Sequence, residues 1–143
     1  MSMSALGRLF NVQPACDGVW INLKDVGGVA FLGYLASTGD TYTLQEAKDN
    51  AGTGAQNLAV ISTYFTSTGN ASDTWTKQTQ AKAATVTTTS AAAQSAVVFE
   101  VNMSSLDDGY SYVKVTSTGA GTVTAIHRDL MVMRKPSNLV KMG

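Results

Sequence analysis

The stretch Val97–Met133, VVFEVNMSSLDDGYSYVKVTSTGAGTVTAIHRDLMVM, decides the fold class. Val97, Phe99 and Val101 alternate with Val98, Glu100 and Asn102, the period of two expected of a strand with one buried face. Tyr110, Tyr112, Lys114 and Thr116 alternate in the same way with Ser111, Val113, Val115 and Ser117. The link Met103–Gly109 is too polar for a strand and suits a single helical turn. Asn102 or Ser104 is placed to cap that turn, Leu106 to plug the core and Gly109 to end it. An arch of this kind followed by Tyr-x-Tyr-Val carries a β-sandwich chain from one sheet to the other. Gly119-Ala120-Gly121 reads as a tight turn, after which Thr122–Met133 returns as a third run.

Working outward, Gly18–Leu23 reads as a short strand and Val29–Ala36, almost continuously apolar, as a central one covered on both faces. Thr41–Ala47 alternates cleanly, so a hairpin is expected over Val29–Ala47. Lys48–Asn57 is a loop rich in Gly, Asn and Asp, Leu58–Thr66 is a strand, and Thr74–Thr79 is an edge strand carrying Trp75. In the low-complexity run Ala81–Gln94, β-branched Thr and Val disfavour a helix, so Ala83–Thr88 is read as an exposed strand. The tally is about eight strands, which predicts an all-β antiparallel sandwich or jelly roll. It spans residues 18–134, between an N-terminal arm (1–17) and a C-terminal tail (135–143).

The 143 residues make one domain, large enough to bury roughly 70% of its unfolded surface without disulfides or metal. Charged residues are only 14% of the chain, and ten basic and ten acidic side chains cancel. That argues against nucleic-acid binding, which needs a basic stripe. It also leaves little to oppose self-association, and suits a surface covered by neighbours. The single cysteine, Cys16, excludes an internal disulfide and fits a reducing site of synthesis. Met1–Phe10 has neither the charged start nor the long apolar run of a secretory leader, and no stretch reaches the ~18 apolar residues of a membrane span. The apolar residues of the two ends, Leu6, Leu9, Phe10 and Val12 on the arm and Leu139, Val140 and Met142 on the tail, are the candidate interface.

Signs of chemistry are sparse. The one histidine, His127, lies two residues before Asp129, so on a strand the two share a face while Arg128 points away. No nucleophile motif accompanies them, and an interface histidine is the expected role. Cys16 has no Cys-x-x-Cys partner, and its neighbour Asp17 raises its pKa, making it a packing residue. One histidine and one cysteine cannot build a zinc site. Asp107-Asp108 and Asp49-Asn50 do not match a calcium loop and read as turn chemistry. Gly52-Thr53-Gly54 lacks the lysine of a phosphate-binding loop. No catalytic, metal or cofactor residue is therefore assigned and no enzyme is expected. Trp20, Trp75, Tyr64, Phe65, Tyr110 and Tyr112 could form a sugar-binding platform, although core or sheet-spanning roles are commoner for such residues.

Three segments together resemble small β-sandwich virion proteins of tailed bacteriophages. They are Thr43–Leu58 (TLQEAKDNAGTGAQNL), Val98–Asn102 running through Leu106–Tyr110, and Tyr112–Val115 with the closing hairpin to Arg134. The resemblance spans about Val19 to Arg134, and Ala81–Gln94 has no counterpart in it. It implies a capsid decoration (cement) protein on the outer surface of a virion, made in a bacterial cytoplasm. Its partners would be the major capsid protein and further copies of itself, a trimer being favoured, with neither nucleic acid nor membrane. Tail, head–tail or host-adhesion components are the alternative, and a carbohydrate-binding module is a further one.

Overall fold

The computed structural model describes residues 5–35, 39–89, 94–119, 121–139 and 142. Eleven strands form two antiparallel sheets, with no α-helix among these residues. They are β1 (Phe10–Gln13), β2 (Ile21–Asn22), β3 (Val26–Tyr34), β4 (Thr41–Ala47), β5 (Gln56–Asn57) and β6 (Ile61–Ser67), then β7 (Thr76–Ala83), β8 (Thr85–Thr87), β9 (Ala96–Asn102), β10 (Tyr112–Ser117) and β11 (Thr122–Leu130). One sheet runs β1-β11-β3-β9-β6-β7; the other runs β2-β10-β4-β5, with β8 also on β4. The expected β-sandwich is the fold. Its extra strands come from short segments: β2 keeps only two residues of Gly18–Leu23, and β5 grows from the end of the expected loop.

Alternation sets the core. Val29 and Phe31 of β3, Val97, Phe99 and Val101 of β9, and Val123 and Ala125 of β11 turn inward from the six-stranded sheet. Leu44 of β4, Val86 of β8 and Val113 and Val115 of β10 meet them from the other. Phe31 and Phe99 are cross-strand partners, their ring centroids 5.8 Å apart. Val86 is fully buried, so the strand expected to be exposed at Ala83–Thr88 contributes to the core, its flanking threonines facing out.

Two expected hairpins are not hairpins. β3 and β4 lie in different sheets, as do β10 and β11. At the first crossing β3 and β4 pack face to face across the core, and the fit requires glycine: a side chain on Gly33 would sit 2.5 Å from the Tyr42 ring. At the second crossing, carboxylates hold the backbone. Asp40 Oδ1 accepts from the Thr118 and Gly119 N–H groups and from the Thr118 hydroxyl. Asp17 accepts from the Ser117 N–H and hydroxyl. The neighbouring residues stitch both sheets, since Cys16 N–H donates to Val123 and Gly18 N–H to Val115.

The arch from β9 to β10 forms as expected. A single 3₁₀ turn, Met103–Ser105, follows Asn102, Leu106 packs on the core, and Gly109 closes the arch at φ +84°. No side-chain cap forms at Asn102. The arch is fastened instead by Glu46, which is fully buried: it accepts from Asp107 N–H at 3.0 Å and from Gln56 Nε2 at 2.7 Å.

Described residues near both ends belong to the sandwich. Phe10–Gln13, expected to be part of a free arm, pairs with Ala125–Arg128 as the edge strand of the six-stranded sheet. Met142, expected to be available for docking on a neighbour, is 2% exposed and lies in this chain's own core, its carbonyl accepting from Asn22 N–H. The boundaries drawn at 17/18 and 134/135 therefore move outward, because an apolar residue close to the sandwich gains more by completing that core than by extending into water. At the opposite edge β7 is long and polar, with Lys77 and Lys82 on it, and its register against β6 shifts between Ile61 and Thr63.

Two substitutions test this packing. Met142→Ala should cost about 2–5 kcal/mol in urea unfolding, the range for truncating a buried Met, where a loose tail would cost nothing measurable. Gly33→Ala should cost about 1–3 kcal/mol in the same assay by forcing the Tyr42 ring aside.

Candidate functional site

The candidate site is a pocket of about 120 Å³ at the β1 end of the sandwich, where segments distant in sequence converge on His127. Asn11 of β1, Asn22 of β2, Lys24 and Asp25 of the following turn and Arg134 supply its polar lining. Val26, Leu130, Val132 and Leu139 supply an apolar wall. Pairing of β1 with β11 puts Asn11 directly opposite His127. The turn bearing Lys24 and Asp25 is tightened by Lys24 N–H donating to the Asn22 side chain, with Asp25 in a left-handed conformation at φ 64°.

His127 is 6% exposed. One ring nitrogen bonds to the Asn22 backbone, while Nε2, itself buried, has no hydrogen-bond partner. Burial pushes its pKa down to about 4, outweighing the bond to the Asn22 backbone, so the ring is neutral at pH 7. With the other nitrogen donating to a carbonyl, Nε2 is left as an acceptor.

Asp129 does not join His127. It takes φ +54°, which interrupts the alternation that would have put both side chains on one face, and its carboxylate pairs with Arg128 at 2.7 Å. Gly27, its cross-strand neighbour, has no side chain to obstruct that turn. Arg128 also pairs with Glu100 at 2.8 Å and bonds the Asn102 side chain, forming a charged cluster on the outer face. No catalytic His–Asp pair is assembled.

The remaining candidates are placed individually. Cys16 is fully buried and its thiol is pushed up to about 12, by desolvation first and by Asp17 second. Asp49 caps its own turn by accepting from Ala51 and Thr53 N–H, and hydrogen bonds from Thr53 lower its pKa. Among the described residues, no three His, Cys, Asp or Glu side chains are grouped to hold a metal ion. The aromatic platform is divided. Trp20 lies under Lys114 Nζ at 4.6 Å, and Tyr110 fastens the Gly54 loop, donating to its carbonyl. On the six-stranded sheet Tyr64 packs on the core, whereas its β6 neighbour Phe65 is exposed with Trp75 beside Val98.

Of the expected interface residues, Leu6 bridges to Phe10, Leu9 is exposed, and Phe10 and Val12 are half-buried on β1. Leu139 lines the His127 pocket, Met142 is in the core, and Val140 lies outside the described residues. The pocket itself went unread in the sequence. Its one signal was the lone histidine in an otherwise apolar alternation, and nothing local connects it to Asn22, Lys24 or Arg134.

A pH dependence follows. The folded-state pKa of His127 lies below its ordinary 6.5, so its neutral form stabilises the fold above pH 6.5, and that contribution is lost as pH falls toward 4. The loss should approach about 3 kcal/mol in urea unfolding between pH 7 and 4. A His127→Leu variant should lose that much less stability across the same window. No family model, no curated protein and no solved structure matches the chain, so a function has to be read from its own side chains.

Proposed function

We propose that this chain is a structural virion protein, a decoration protein that binds the outer surface of a capsid shell and stabilises it through contact alone. The observation that carries the reading is the outer face of the six-stranded sheet. Leu32, Val98 and Phe65 are successive cross-strand neighbours there, and Trp75 adjoins them. Val12, Ile126 and Ala30 form a parallel row. Phe65 is 40% exposed and Trp75 50%. The charged cluster of Glu100, Arg128 and Asp129 flanks these rows, and an apolar centre beside a polar rim is the anatomy of an association surface. Zero net charge removes long-range repulsion between copies.

The mechanism is addition of buried area. A rigid sandwich spanning neighbouring capsomers contributes contacts that are individually weak, and many copies raise the effective concentration of each contact until the shell resists expansion. The partners are the major capsid protein and other copies of this chain. A second reading, a glycan-binding face, is favoured by the exposed Phe65 and Trp75 side chains, since a sugar ring packs on exposed aromatic faces.

Electron microscopy of particles with and without the protein tests the first reading. Regular density on the outside of the shell is expected, and shells lacking it overturn the proposal. A Phe65→Glu/Trp75→Glu variant should bind those shells at least about tenfold more weakly, the effect of roughly 1.4 kcal/mol, with unfolding little changed because both side chains are exposed. Glycan-array binding lost in that variant, with no shell density, would establish the second reading.

A further inference from the structure

We propose that a second copy of this chain docks on the segment 131–133, across a two-fold axis that passes through it. The segment follows β11 and reads Met131-Val132-Met133. Met131 is 71% exposed and Met133 68%, and Val132 between them is exposed as well. Among the described residues, no other run of consecutive large apolar side chains stands in water. Bare apolar clusters of this kind mark association surfaces, and methionine adapts its shape to what it meets. The segment is also held in place. Met131 N–H donates to the Asp25 carbonyl at 2.9 Å and Arg134 N–H to the Gly7 carbonyl at 2.8 Å, so both ends are tethered to neighbouring turns. A ridge fixed in advance loses little freedom when it is covered. The Gly7 tether also brings up the turn that carries Leu9, a further exposed apolar side chain.

Charge selects the occupant. Two exposed acids lie at the Met131 end: Asp25, through its tether, and Asp129, two residues back. That end also holds Lys24, and Arg128 paired with both Asp129 and Glu100, so acids outnumber cations there by three to two. At the Met133 end stand Arg134 and Lys135, both exposed. A uniformly anionic partner, such as lipid or nucleic acid, would meet carboxylates at one end. A surface with unlike charges at its two ends is complementary to itself after half a turn. The two-fold axis lays the segment antiparallel on its copy. Met131 of each chain meets Met133 of the other, and Arg134 and Lys135 face Asp25 and Asp129 of the second copy. Zero net charge adds no long-range repulsion. The contact uses neither Phe65 nor Trp75, so it stands apart from the capsid reading.

Sedimentation equilibrium of the intact chain, from about 10 µM to about 1 mM, tests this. A reversible rise from the mass of one chain toward that of two is expected. A Met131→Ser/Met133→Ser variant should dimerise at least about tenfold more weakly and an Arg134→Glu/Lys135→Glu variant about fivefold more weakly. Urea unfolding should change little in either, since all four side chains are exposed. Crosslinking reads the position of the contact. Cys16 is fully buried, so a Met133→Cys chain carries one accessible thiol, and a short bis-maleimide should join it to its copy. A Lys82→Cys chain, altered on β7, should crosslink at least about tenfold less. An unchanging mass across the concentration range, unaltered association in either double variant, or equal crosslinking of the two cysteine variants would each overturn the proposal.

Discussion

The ring of Tyr42 lying on the bare backbone of Gly33 is the contact around which the sandwich is arranged. It lets two strands adjacent in sequence pack closely against each other across the core, one in each sheet. Once β3 is turned away from β4, its two edges are free for β11 and β9, both distant in sequence. β4 in turn collects β10, β5 and β8. The crossover between β10 and β11 repeats the logic with polar means, Asp17 and Asp40 gripping backbone N–H groups that a hairpin ladder would have satisfied.

Strand positions were legible because alternation depends only on which side chains seek the core. Val97–Val101 and Tyr112–Val115 declare their inward faces residue by residue. Pairing was not legible, since the same alternation fits a strand to either sheet. The Val29–Ala47 hairpin failed there: six residues separate β3 from β4, enough to cross the sandwich as easily as to reverse within a sheet. The ends were misread for a related reason. Phe10–Gln13 is too short to show a period, and its partner β11 lies more than a hundred residues away. Met142 looked like a free apolar residue because the gap it fills is built by segments far from it.

The site was less legible than the fold. Proximity in sequence suggested His127 and Asp129 as a pair, but one left-handed residue turned the carboxylate to Arg128. What surrounds the imidazole instead is contributed by β1, the turn after β2 and the segment beyond β11, a combination that only the topology brings together. Glu46 is a similar case. Its strand position predicts an inward side chain, yet a buried carboxylate is tolerable only because Gln56 and the Asp107 N–H arrive to satisfy it.

The long outer strand β7 has a consequence for how copies can assemble. Eight residues of unpaired edge would ordinarily template fibre growth, each chain adding its rim to the next. Lysines on that rim and the register shift in its pairing with β6 discourage such edge-to-edge zipping.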